Sequence, residues 1–200
     1  MSTDNSQNLF TLITGASEGI GRALAIECAK RKMNLILVAL PGSELEILAD
    51  NLMTKYQILV NCFPADFFKK EAPQQLYEWV IEQGLSVNML INNVGVGYAG
   101  RFENYTTTHI ENMLQLNIWP MVTLTRLFLD DLKKHSPSYL LNVASLAGLR
   151  PVPYKSIYAA TKSFIYSFTR ALKVELKDTM VKVSVLCPGS VYTNQKVITR

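Results

Sequence analysis

Cysteine, histidine and tryptophan are scarce, at three, two and two residues in a chain of 200. Cys28, Cys62 and Cys187 form no CxxC pair and no metal-ligand spacing, so no metal is expected. An odd, dispersed set fits reduced thiols in a reducing compartment, and all three are read as small buried hydrophobes. His109 and His135 are expected at the surface, one near a helix start and one near a helix end. No apolar run reaches membrane-spanning length. Residues 1–8 are polar, lack the basic-then-apolar order of a secretory signal, and are expected as a disordered tail. A cytoplasmic protein without a membrane partner follows as the expectation. Basic residues are not blocked together either: the net charge of +4 is spread among Asp and Glu, which argues against nucleic acid as a partner. There is no internal repeat, low-complexity tract or linker, so residues 9–200 are read as a single domain.

What the chain has in quantity is hydrophobic residues, at 48%, arranged in short apolar runs that alternate with stretches of helical period. Strands are expected at 9–14, 34–40, 58–63, 87–91, 139–143 and 181–186. Helices are expected at 19–31, from Ser43 as a cap to about Lys55, at 73–83, and as two long elements at 107–134 and 154–177. Strands alternating with helices imply an α/β fold, a doubly wound parallel sheet of Rossmann type with helices on both faces. Its strands are buried on both sides, which accounts for the run Leu35-Ile36-Leu37-Val38.

Directly after the first strand stands Thr14-Gly15-Ala16-Ser17-Glu18-Gly19-Ile20-Gly21. Glycine permits the sharp turn and lets a pyrophosphate approach without a Cβ in the way. The helix that starts here directs its free N–H groups at that phosphate. A glycine cluster alone can be a plain strand-to-helix turn, but a first strand before it and a helix after it favour dinucleotide binding. The end of the second strand selects the dinucleotide: an acid holds the ribose hydroxyls of NAD, an Arg suits the 2′-phosphate of NADP. Leu40 does neither, Glu18 would repel a phosphate, and Ser43 would welcome one, so the residues leave the choice open. Asp66, after the third strand, is either an adenine contact or a turn residue.

Tyr158 and Lys162 are spaced i and i+4 on a helix and share one face. An ammonium there, with a positive nicotinamide ring, would stabilise a phenolate. The spacing is common on solvated helix faces, and the rest of the chain raises its weight. Ser145 follows the fifth strand, Asn92-Asn93-Val94-Gly95 closes the fourth, Asn117 lies within the preceding long helix, and Pro188-Gly189 closes the sixth with Thr193 beyond. All of the strand-end residues fall at the carboxyl edge, where parallel sheets bind ligands. Val96-Gly97-Tyr98 is either a substrate-lining stretch or a flexible loop. Tyr154 is read as a pocket wall or packing residue, and Trp79 and Trp119 as packing residues.

In this order and spacing the sequence resembles the short-chain dehydrogenase/reductase family, from Thr14 to Thr193. The turn 14–21 matches TGxxxGxG, 92–95 matches NNAG with Val94 for Ala, and Tyr158 with Lys162 matches YxxxK. The resemblance implies an NAD(P)-dependent oxidoreductase acting on a carbonyl or alcohol. Tyr158 would be its general acid/base, Ser145 the substrate-oxygen partner and Asn117 the anchor of a water. Lys162 would hold the nicotinamide ribose. Gly15, Ser17, Glu18, Gly19, Ile20, Gly21, Asp66, Asn92, Gly95, Tyr158, Lys162, Pro188, Gly189 and Thr193 would form the cofactor site. It leans to NADP(H) over NAD(H), and to homodimers or homotetramers formed through the two long helices. Family members continue past this segment into a lid and a seventh strand, whereas this chain stops at Arg200, which leaves 181–186 as a sheet edge. That motivates a second reading, a catalytically silent dinucleotide-binding sensor or scaffold. A sugar-nucleotide epimerase is a weaker third, since its glycines are spaced differently.

Overall fold

A computed structural model describes residues 9–190. The expected tail at 1–8 and Thr193 lie outside the described residues. Six strands, β1 (Leu9–Thr14), β2 (Asn34–Ala39), β3 (Val60–Pro64), β4 (Ser86–Asn92), β5 (Ser138–Val143) and β6 (Val181–Leu186), form one sheet in the order β3-β2-β1-β4-β5-β6. Every neighbouring pair is parallel. Five helices connect them: α1 (Gly19–Lys30), α2 (Leu45–Tyr56), α3 (Ala72–Glu82), α4 (Thr107–Lys134) and α5 (Ser156–Glu175).

Successive strand residues point to opposite faces, and two cores result. Phe10, Leu12, Ile36, Val38, Leu90 and Leu140 pack with Leu76 of α3 and Leu124 and Phe128 of α4. Ile13, Leu35, Leu37 and Ile91 pack with Ala25 and Ala29 of α1 and Leu48 and Leu52 of α2. Leu35, Ile36, Leu37 and Val38 are completely buried, as a strand covered on both faces requires. Strand order reverses between β1 and β4, which opens a crevice at their carboxyl ends. Strand β6 pairs only with β5 among the described residues.

Three local expectations need correction. Ser43 does not cap α2: Glu44 holds that position without a side-chain bond, while the Ser43 N–H donates to the Leu40 carbonyl at 3.2 Å and its hydroxyl is buried without a partner. A turn through Pro41 and Gly42 (φ +74°) puts the cap and the helix start one residue later. Tyr154 is outside α5, because its φ of +64° is left-handed and the helix begins only at Ser156. Of the cysteines, only Cys28 is fully buried, whereas Cys62 and Cys187 are partly exposed.

Helix α4 is the longest element. Thr106 accepts the His109 N–H at 3.1 Å and the His109 ring accepts the Thr106 N–H at 3.3 Å, a reciprocal cap that fixes its start. Pro120 sits inside it, buried against the core. No helix among the described residues is long and apolar enough to cross a membrane.

Candidate active site

The turn from β1 into α1 is a close-fitted cradle. Gly15 and Gly19 adopt φ of +65° and +56°, angles that cost a side-chain-bearing residue strain. A Cβ on Gly21 would stand 2.0 Å from the Gly15 carbonyl oxygen, so the first turn of α1 closes on this loop only with glycine there. The Ala16 N–H donates to the Val38 carbonyl at 3.0 Å and pins the loop to β2. Glu18 precedes α1 with extended backbone and no side-chain capping bond, so no side chain caps the first-turn N–H groups. That donor set, backed by a positive helix end and an approach without a Cβ, fits a pyrophosphate.

The β4 loop is latched to this turn by Asn93. Its side-chain nitrogen donates to the carbonyls of Thr14 (3.0 Å) and Gly15 (3.1 Å), and the Thr14 hydroxyl accepts the N–H groups of Asn93 (3.0 Å) and Val94 (3.2 Å). Sequence reasoning singled out Asn92 and missed this role of Asn93, although the doubled asparagine was its signal. The Asn92 side chain is committed to the core: its nitrogen donates to Thr125 at 3.1 Å and to Asn142 at 2.9 Å, and the residue is buried. Alternation along β4 explains the exchange, since adjacent residues face opposite ways. Asp66 accepts the Phe68 N–H at 3.1 Å, the geometry of its turn reading.

Tyr158, Lys162 and Asn117 are brought together across α4, α5 and the loop after β4. Lys162 is 4% exposed, and its ammonium donates to the Val143 carbonyl at 3.0 Å and lies 5.8 Å from the Tyr158 ring centre. Burial pulls its pKa down to about 8 from an ordinary 10.5, because the charged form is costly to desolvate. Asn117 is fully buried: its oxygen accepts the Val96 N–H at 2.7 Å, and its nitrogen donates to the Val96 carbonyl and the Thr161 hydroxyl, both at 2.9 Å. Gly95 sits where these converge, since a Cβ there would lie 3.0 Å from the Asn117 oxygen and 3.3 Å from the Lys162 nitrogen.

Ser145 follows β5 in extended backbone, and its hydroxyl oxygen accepts the Ala147 N–H at 3.2 Å. That leaves its proton to donate. The 3₁₀ turn after it, Leu146–Gly148, presses on α5: a Cβ on Gly148 would stand 2.5 Å from the Lys162 backbone carbon. The Leu146 N–H donates to the Pro188 carbonyl at 2.9 Å, which ties the β5 and β6 loops, and Gly189 follows beside Leu146. Burial pushes the Cys187 thiol up, opposed by the Ser145 backbone N–H and the Lys162 charge.

The loop after β4 forms the outer wall. Gly97 lies against the Tyr158 ring, where a Cβ would come within 3.2 Å of two ring carbons. The Gly100 N–H donates to the Tyr154 carbonyl at 2.8 Å, and Tyr98 stacks on His109 at 4.2 Å and meets Tyr105 edge-on at 4.9 Å. An open recess of about 630 Å³ at its far end is lined by Gly100, Arg101, Phe102, Glu103, Tyr154 and Ser156. Exposed Val96, Phe102, Leu146, Leu149 and Tyr154 give this region an apolar surface.

A family model described as short chain dehydrogenase matches residues 10–198. 17-beta-hydroxysteroid dehydrogenase type 3 of Mus musculus is 32% identical over 191 residues, 94% of this chain and 62% of the relative. Very-long-chain 3-oxoacyl-CoA reductase of Anas platyrhynchos is 31% identical over 199 residues, 96% of this chain and 62% of the relative. The chain thus spans about three fifths of the length of these curated relatives. Among solved structures, the bulky-bulky ketone specific alcohol dehydrogenase from Comamonas testosteroni superposes with a TM-score of 0.86 at 27% identity, covering 96% of this chain and 76% of that one. Other superposing structures hold NADPH or NAD.

Proposed function

Since the chain belongs to the short-chain dehydrogenase family, we propose that it is a nicotinamide-dependent oxidoreductase that interconverts a hydrophobic or acyl-type carbonyl and its alcohol. The observation that carries this reading is the convergence of Lys162, Tyr158 and Asn117 on Gly95 and Gly97, at the same strand edge as the glycine cradle.

The backbone of Gly15, Ser17, Glu18, Gly19, Ile20 and Gly21 would hold the pyrophosphate, and Lys162 the nicotinamide ribose. Gly95, Pro188 and Gly189 would border the nicotinamide end. The bound nicotinamide supplies or accepts the hydride. The chain's own work is proton handling and alignment. In reduction, the Tyr158 phenol donates its proton to the substrate oxygen, and in oxidation the phenolate takes it back. The Ser145 hydroxyl donates to the same oxygen and steadies its developing charge. The nearby ammonium of Lys162 stabilises the phenolate form of Tyr158, and burial strengthens that interaction. Asn117 holds the loop that carries Gly95 and Gly97.

NADP(H) is the proposed dinucleotide. Leu40, 56% exposed at the end of β2, offers no carboxylate to bind ribose hydroxyls or to repel a 2′-phosphate. The proposed assembly is a homodimer or homotetramer through α4 and α5, supported by the exposed Trp119, Phe164 and Val174. A sedimentation profile showing only monomer at micromolar concentration overturns it.

The test is nicotinamide absorbance with NADPH and NADH against bulky apolar ketones and 3-oxoacyl thioesters. Turnover of at least one class, faster with NADPH, is the expected result. Saturable dinucleotide binding without turnover across the panel would instead establish the silent binding module.

A further inference from the structure

We infer that Thr161 is a positioning residue whose single hydroxyl ties Asn117 to the backbone of Tyr158. This rests on the reading of Asn117, Tyr158 and Lys162 as the reactive group. The Thr161 oxygen accepts one N–H of the Asn117 amide at 2.9 Å and donates its own proton to the Tyr158 carbonyl at 2.8 Å. Thr161 is 1% exposed and adjoins Lys162, which is itself buried.

The Asn117 amide is thereby fully committed. Its other N–H and its oxygen are taken by the Val96 backbone. An amide has two donor hydrogens and one acceptor oxygen, and each has found a partner in a buried place. The orientation of the Asn117 side chain, and with it the Val96–Gly97 stretch against the Tyr158 ring, is thus set from two directions. One direction is the loop and the other is Thr161. Removing the hydroxyl leaves a buried N–H of Asn117 with no partner, an arrangement that proteins avoid.

A threonine in a helix often donates to a carbonyl of the preceding turn without further consequence. Helix α5 provides the comparison itself. Thr169, eight residues on and on the same face, also donates to a helix carbonyl, that of Ile165 at 2.6 Å, and accepts an asparagine amide, that of Asn142 at 2.9 Å. Both are buried to 1%. Thr169 serves the core between β5 and α5, far along the helix from Tyr158. The two threonines therefore have the same bonding and burial, and differ in what their asparagine holds.

The experiment substitutes each in the full 200-residue chain: Thr161→Val, Thr161→Ser and Thr169→Val. Hydrogen exchange of the Asn117 side-chain amide, identified by its loss in Asn117→Ala, is read by NMR without turnover. NADPH affinity by fluorescence, kcat with a carbonyl substrate and thermal midpoint are read alongside. Both valine variants should lower the midpoint by similar amounts. Only Thr161→Val should accelerate Asn117 amide exchange by about tenfold and lower kcat by about tenfold, changes worth about 1.4 kcal/mol each. NADPH affinity should stay within about twofold, and Thr161→Ser should restore both readouts. Unchanged Asn117 exchange in Thr161→Val, or an equal fall of kcat in Thr169→Val, overturns the inference. A wild-type chain without turnover overturns the reading of the site, and the exchange measurement then decides the Thr161 tie on its own.

Discussion

Asn117 and Val96 face each other through a two-way amide pair, the Val96 N–H donating to the Asn117 oxygen at 2.7 Å and the Asn117 nitrogen donating back to the Val96 carbonyl at 2.9 Å. A helix side chain thus substitutes for a strand and holds a loop that has no regular structure of its own. Asn117→Ala removes both bonds and also takes from the buried Thr161 hydroxyl the amide N–H that it accepts. The expected cost is about 1–3 kcal/mol of stability, with turnover reduced by more than this loss of folded protein explains. Thermal melts and kcat on the same preparation check it.

The cradle makes a prediction by contrast. Gly21→Ala places a Cβ 2.0 Å from the Gly15 carbonyl oxygen, whereas at Gly84, whose φ is +64°, nothing lies within 4 Å of a Cβ. Gly21→Ala should forfeit dinucleotide binding by at least about tenfold, a loss of about 1.4 kcal/mol or more. Gly84→Ala should cost only backbone strain, about 1–2 kcal/mol of stability, with affinity intact. Fluorescence titration with NADPH separates the two.

The sequence showed all six strands to within two residues, both long helices, and the order of the strand-end motifs. Periodicity reports burial, and burial in a doubly covered sheet is what built those strands. The start of α5 was misread because a helical pattern at Tyr154 cannot reveal a left-handed φ enforced by the turn before it. Ser43 has the composition of a cap, but the turn through Gly42 directs its hydroxyl inward. The NNAG match named Asn92 where Asn93 forms the latch, since a motif does not say which of two neighbours faces the crevice. The threonines of α5 gave no signal at all: each looks ordinary until the strand or helix opposite supplies an asparagine.

Lys162 gives a stability prediction with a definite sign. Its pKa falls on folding from 10.5 to about 8. Between these values the unfolded chain binds more protons than the folded one, so stability rises with pH across that window. Below pH 8 the buried ammonium weakens the fold by on the order of 3 kcal/mol, and above about 10.5 this penalty is gone. Lys162→Met should therefore raise the denaturation midpoint at pH 7, gain less near pH 10, and abolish turnover. Urea melts at the two pH values check the sign; equal effects at both would contradict it.

Leu40 tests the dinucleotide choice. Leu40→Asp should move preference toward NADH by about tenfold, since a carboxylate repels the 2′-phosphate and accepts the ribose hydroxyls. Leu40→Arg should strengthen NADPH. Paired titrations give the ratio directly, and a ratio that ignores both charges would place the 2′-position elsewhere.

The central claim is that Tyr158 transfers the proton in a site that binds the dinucleotide without it. Tyr158→Phe keeps the ring that packs on Gly97 and removes only the hydroxyl. Stopped-flow decay of nicotinamide absorbance, with NADPH affinity measured on the same sample, is the direct measurement. The account predicts a fall in rate of about 100-fold or more, as loss of a general acid produces, with affinity within about threefold. A Tyr158→Phe protein that reduced the carbonyl at the wild-type rate would contradict it.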